Sequence, residues 1–203
     1  MSETPKHQIR AFYNDETIRV YQAYSDRIAD SALANQTFVS PPFKLDRMTW
    51  IKPSFLWMMY RSGWGMKDGK PSKILAIDIT RAGFEWALDH SCLSRPSKDL
   101  SPKEWKQMKR THPVRIQWDP ERNPDLEALD YRAIQIGLSN EAVVKYLNEW
   151  ITCITDITPL TREIHALVQQ SRYEEAKQSL PNELAYLLEE NTRLQINADL
   201  CLN

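Results

Sequence analysis

Between positions 43 and 64 the chain places Trp50, Trp57 and Trp64, one tyrosine, Tyr60, and four basic residues, Lys44, Arg47, Lys52 and Arg61, with Asp46 as the only acid. A nucleotide requires two things of a protein that this stretch offers together. Rings give a base or a nicotinamide something to stack on, and guanidinium or ammonium groups donate charge-assisted hydrogen bonds to phosphate oxygens. On a helix beginning at Pro53, Trp57, Arg61 and Trp64 fall at i, i+4 and i+7 and share a face, with Ser54 one turn before them. Phe55, Leu56 and Met59 turn toward a core. Trp and Met at helical spacing are ordinarily core, and long cations commonly snorkel at its edge; the density of cations beside indoles is what favours a site.

A second basic and aromatic set recurs downstream, with Arg115, Trp118 and Arg122, then Tyr131, Arg132 and Gln135. Arg10 and Tyr13 near the N-terminus, and Arg19, Tyr21 and Gln22 on the first strand, complete a ring. Gln22 and Gln135 interrupt apolar strands, so each is either hydrogen-bonded internally or lines a cleft, because a buried amide without partners is costly. Asp46, Asp78, Asp119, Glu121 and Asp130 are available as carboxylate bases, although spacing brings no two of them together. His7, His90, His112 and His165 do not fall at metal-ligand spacing. Neither a G-x-S-x-G elbow nor a Gly-rich phosphate loop is present. Lys67-Asp68-Gly69-Lys70 resembles the lysine motif of nucleotidyl-transferring ligases only faintly and reads better as a solvated turn.

The elements that must position these residues follow from periodicity and end signals. Residues 18–24 alternate as a strand. Ser25 is expected to cap a helix burying Ile28, Ala29, Ala32 and Leu33. Residues 48–51 are extended, since Lys52 precedes Pro53, and a helix runs from Pro53 to a glycine stop at Gly63. Residues 73–80 are apolar on both faces apart from Asp78, as a central strand is. Thr80 caps the next helix, and Ser101-Pro102-Lys103-Glu104 forms a capping box. Strands at 114–118 and 132–138 flank a polar loop at 119–130. From Ser139, Val143, Leu147, Trp150, Ile151 and Ile154 predict one long helix. Thr158-Pro159 opens another, with Leu160, Ile164, Leu167 and Val168 inward, and a last begins at 179–181 carrying Leu184, Leu187, Leu188 and Leu194. The expectation is a single α+β domain over 1–203: a core at 8–157 with a mixed or mostly antiparallel sheet drawn from the first two thirds, and a C-terminal helical layer at 158–203.

Composition narrows the function classes. With 203 residues, 42% hydrophobic and 26% charged, the chain is an ordinary globular protein. Its net charge of -1 removes whole-molecule attraction to nucleic acid or anionic lipid, so anion binding must come from a local cluster. Residues 1–10 lack the apolar stretch of a secretory signal, and the longest apolar run, 55–60, is far short of the roughly 20 residues that span a bilayer. A cytoplasmic protein with no membrane partner is expected. Cys92, Cys153 and Cys201 form no C-x-x-C and read as packing residues.

The blocks 18–24, 48–64, Trp118-Asp119-Pro120-Glu121-Arg122 and 131–138, in that order, resemble the uncharacterised bacterial and fungal family known as domain of unknown function 4291. More distantly, the order of elements resembles that of ADP-ribosyltransferases. In that family a first strand supplies an Arg or His for the dinucleotide, a middle segment an aromatic or Ser, and a late strand a Glu. The resemblance implies Arg19 or Tyr21, Ser54 with Trp50 or Trp57, and Gln135 in those places. Gln135 departs from the pattern: it can orient a ribose hydroxyl but supplies no negative charge. Two functions follow. In one, an NAD-using transferase holds the pyrophosphate with Arg10, Arg19, Arg47, Lys52, Arg61 and Arg132 and clamps nicotinamide with Trp50 and Trp57. Tyr21, Ser54 and Gln135, or a nearby carboxylate, then serve the chemistry. In the other, the same surface is a non-catalytic module that stacks single-stranded RNA or DNA. The helices after Thr158 offer a surface for a homodimer.

Overall fold

The computed structural model describes residues 4–96 and 101–200. Its strands are β1 (Arg10–Ala11), β2 (Thr17–Tyr24), β3 (Thr49–Ile51), β4 (Lys73–Thr80), β5 (Ser91–Leu93), β6 (Val114–Arg122), β7 (Ala128–Leu138), β8 (Ile151–Asp156) and β9 (Leu184–Ala185). Its helices are α1 (Asp26–Asn35), α2 (Phe55–Ser62), α3 (Arg81–Asp89), α4 (Pro102–Thr111), α5 (Glu141–Lys145), α6 (Thr158–Gln169), α7 (Tyr173–Ser179) and α8 (Glu190–Gln195).

β4 lies between β2 and β8 in an antiparallel sheet, and its two apolar faces explain that place. Leu75, Ile77 and Ile79 join Ile18 and Val20 in the larger core, while Ile74 and Ala76 join Tyr21, Phe55, Met59 and Ile164 in a second one. The other main sheet runs β3-β7-β6-β5, antiparallel except for β5 beside β6. A short β1–β9 ladder pins the C-terminal segment against the N-terminal one. The fold is α+β with mostly antiparallel sheets, as the pattern predicts. An isolated bridge links the two main sheets, the Tyr21 N–H donating to the Lys52 carbonyl at 2.8 Å.

Local chemistry sets the helix ends. The Ser54 hydroxyl accepts the Trp57 N–H, so α2 is capped by Ser54 rather than begun by Pro53. Gly63, at φ 54°, closes it by donating to Met59 and Tyr60 carbonyls. Thr80 caps α3 and Ser101 with Glu104 forms the capping box of α4.

Four expectations are corrected, the last of them the reading of Cys153 as a packing residue. The long helix after Ser139 stops at Lys145, passes through a π turn at Tyr146–Trp150 and becomes β8. Residues 151–155, Ile-Thr-Cys-Ile-Thr, are mostly β-branched and find the open edge of β4, so tertiary pairing overrides the helical spacing. The helix expected from 179–181 is absent: α7 ends there, Leu184 is in β9, and Leu187 and Leu194 are exposed while Tyr186 is buried. The polar loop at 119–130 is a hairpin, with β6 running on to Arg122 and β7 starting at Ala128. Cys92 is buried but Cys153 is exposed; Cys201 lies outside the described residues. Among the described residues no helix is long and apolar enough to cross a membrane.

Leu75 is fully buried at the centre of the sheet. Leu75→Ala is expected to lower stability in urea unfolding by about 2–5 kcal/mol, whereas Leu187→Ala should change it by less than about 0.5 kcal/mol.

Candidate functional site

Extended backbone through β3 and beyond sends alternate side chains to opposite sides, so Trp50 and Lys52 share one side. They face a cleft of two adjoining lobes, and Trp50, Lys52 and Arg61 border both. Trp50 lies across β7 because its cross-strand partner is Gly137. A Cβ there would stand 2.6 Å from the Met48 sulfur and 3.0 Å from the Trp50 ring. From α2, Trp57 and Arg61 reach the same cleft one turn apart.

The first lobe, about 440 Å³, is lined by Lys44, Arg47, Lys52, Arg61 and Lys67 and by no carboxylate among the described residues. Its floor is polar but already satisfied: the Gln22 amide donates to Thr49, Tyr24 and the Trp50 carbonyl, and its oxygen accepts from Tyr146. Lys52 is the unusual member. Its residue is 6% exposed, and the one hydrogen bond of its ammonium among the described residues goes to the Trp50 carbonyl, 3.2 Å away. Burial pushes this amine down to about 8, the Arg61 charge pushes the same way and Asp119 opposes both. A buried cation without an anion is costly.

The second lobe, about 470 Å³, adds Trp57, Tyr60, Gln117, Asp119 and Gln135. Gln117 and Gln135 are cross-strand partners on β6 and β7, and both spend their amide N–H groups on Asp119. Gln135 reaches Oδ2 at 2.6 Å and Gln117 reaches Oδ1 at 2.9 Å. The carboxylate is thereby fixed in place on the cleft wall. Trp57 stacks on Tyr60, whose other contact is the Arg122 guanidinium, 3.6 Å from the ring centre. The Trp57 indole N–H is buried with no partner among the described residues.

Of the residues expected at the site, Arg47, Trp50, Lys52, Trp57, Arg61 and Gln135 therefore converge. Five others do not line this cleft. Arg19 is locked in a two-pronged pair with Asp78, both contacts 2.8 Å. Tyr21 is fully buried, edge-on to Phe55. Ser54 is the cap of α2 and donates to Glu121. Arg10 lies over Tyr131, and Arg132 is tied by its backbone to Lys6. Trp64, expected beside Arg61, sits past the Gly63 stop and stacks on His165 instead. Sequence reasoning missed Gln117 and gave Asp119 no priority; two glutamines at facing positions of paired strands were the signal.

A pair of acids, Glu121 and Glu183, holds the N-terminal end of α2. Glu183 accepts the Phe55 N–H at 2.7 Å and Glu121 accepts from Ser54. Burial pushes both carboxyls up, Glu183 well above the usual range, with Phe55 and Arg122 N–H groups opposing. Among the described residues no group of three His, Cys, Asp or Glu side chains is placed to hold a metal ion. The chain matches, over residues 8–186, the family described as domain of unknown function (DUF4291). No curated protein matches it.

Two outcomes follow from this geometry. Lys52 has its amine near 8 when folded and at its ordinary 10.5 when unfolded, so the unfolded chain binds more protons between those values and stability rises with pH across that window. The full difference amounts to about 3 kcal/mol. Urea unfolding of Lys52→Met should lose that rise; an identical pH profile in the two proteins would contradict the buried, unpaired amine. Gly137→Val should displace Trp50 and cost about 1–3 kcal/mol, read as a drop in melting temperature.

Proposed function

The chain belongs to this family, whose name assigns no chemistry, and from the cleft itself we propose that it binds a dinucleotide, NAD, and transfers its ADP-ribosyl group. The observation that carries the reading is the uncompensated cation cluster. Five basic side chains without a carboxylate, one of them buried Lys52, leave a lobe short of an anion, and a pyrophosphate supplies it. The residues fit the rest of the molecule as well. Trp50 and Tyr60, with the edge of Trp57, border the adjoining lobe and offer ring surface there.

In the reaction, the bond from ribose C1′ to the nicotinamide nitrogen breaks and its electron pair leaves with nicotinamide. An acceptor hydroxyl or amine forms the new bond to C1′ and releases its proton to solvent. Positive charge builds on C1′ as the bond breaks. A fixed negative charge opposite it lowers the barrier, and Asp119, held by Gln117 and Gln135, is that charge. Gln135 thus positions the carboxylate it does not itself carry. Exclusion of water falls to the indoles of Trp50 and Trp57.

NAD should raise the melting temperature of the wild-type protein, and Arg47→Ala or Arg61→Ala should abolish the shift. Asp119→Asn should keep the shift and lose nicotinamide release. Bound phosphate favours the charged amine, so affinity should fall as pH rises past about 8, where the free protein gives up the Lys52 proton. No shift with NAD, together with salt-dependent binding of single-stranded RNA or DNA that Arg61→Ala removes, would replace the transferase by a non-catalytic module.

A further inference from the structure

The segment 95–115 carries seven Lys and Arg against two acids, in a chain whose 26 basic and 27 acidic residues balance only as a whole. Its helix α4 buries none of its residues. Helical geometry sets Lys109, Lys106, Arg110 and Lys103 in succession around the helix, starting from Trp105. The arc begins in contact, with the Lys109 ammonium 4.2 Å from the Trp105 ring centre. Glu104 is occupied by the capping box, and Arg115 caps the last carbonyls of the helix. Lys103, Lys106 and Arg110 have no carboxylate partner among the described residues.

Trp105 also lines the widest of the pockets described for this chain, a groove of about 620 Å³ between α4, the edge of β5 and α8. Trp118 stands in the same groove. Both indole N–H groups are spent on backbone carbonyls, of Leu93 and Ile196, so these residues offer ring surface alone. Ser94 and Asn197 line the groove with side chains that make no hydrogen bond among the described residues. Ring surface with free polar groups beside it is what an unpaired base requires, and a cationic arc at the rim is what its phosphates require.

We propose that α4 and this groove form a binding surface for single-stranded nucleic acid, bases in the groove and backbone over Lys109, Lys106, Arg110 and Lys103. An anionic membrane fits less well. A helix lying in a bilayer surface presents apolar side chains outward, whereas Trp105 and Met108 of α4 line the groove. The surface is separate from the cation-lined lobe, although Gln117 borders both this groove and the second lobe of the cleft. It does not depend on the NAD reading.

The test is fluorescence anisotropy with a labelled single-stranded RNA and a DNA of the same sequence, in a salt series, on wild type, the triple variant Lys103→Glu/Lys106→Glu/Arg110→Glu, and Arg61→Ala. The wild type should bind at low salt. The triple variant should bind at least tenfold more weakly, with the slope of log affinity against log salt reduced by about two, and Arg61→Ala should bind as wild type does. Circular dichroism melting of the triple variant should match wild type. Its response to NAD should be unchanged, so that failure of the dinucleotide reading leaves this one standing. RNA against DNA preference identifies the source. Binding lost in Arg61→Ala but kept in the triple variant, binding to phosphatidylserine vesicles with none to either oligonucleotide, or no binding at all would each overturn the proposal.

Discussion

The cleft depends on one backbone contact and the residue that makes it. The Lys52 carbonyl accepts from Tyr21 and so ties the two main sheets at one point, while the Lys52 side chain, on an extended segment, is delivered to the cavity beside that junction. The bridge fixes the Lys52 backbone beside the junction, where Gln22 and Tyr24 of β2 also bond to Thr49 and Trp50 of β3. The ammonium is held where water is scarce and its neighbour is another cation, Arg61. The energetic cost of that placement falls on folding, and an anion in the lobe would offset it.

The helix that carries Trp57 and Arg61 is fixed from its N-terminal end. Ser54 accepts a backbone N–H of α2 and its own hydroxyl donates to Glu121, while Glu183 accepts another N–H. Carboxylates at a helix N-terminus are favoured by the unpaired N–H groups and the dipole, and here one of them comes from residue 183, just before the strand β9 that pairs with β1. The C-terminal segment therefore reaches back under the cleft. Its placement sets the angle at which α2 presents Arg61. The far end of α2 is closed by Gly63, so the helix is short and clamped at both ends, as a positioning element should be.

How much was legible beforehand varied with the kind of signal. Central strand β4, the caps at Thr80 and Ser101 and the α+β class were readable because each rests on local sequence. Of the cations and indoles at 43–64, Lys44, Arg47, Trp50, Lys52, Trp57 and Arg61 border the cleft, whereas Trp64 does not. β8 was not readable, since its helical spacing is genuine and only the empty edge of β4 decides against it. The same limit applied to charge. Arg19 and Arg10 look as available in sequence as Arg47 and Arg61, yet Asp78, 59 positions away, claims Arg19. Ser54 looked like a reactive hydroxyl and is a cap, because a serine at a helix start is recognised only once the start itself is placed.

Electrostatics gives the cleft a direction. Cations fill one lobe and the fixed Asp119 stands in the other, with Lys52 between them and influenced by both. A ligand that is anionic at one end and becomes cationic at the other during reaction fits this gradient in only one orientation. Glu121 and Glu183 differ from Asp119, since both are spent on α2 and burial favours their neutral forms. Asp119 reaches the cavity and is held by two neutral amides, which align it without cancelling its charge. An arginine or lysine in either glutamine position would bind the same carboxylate more strongly and neutralise it. Glutamine on both strands immobilises the acid without pairing it with a cation.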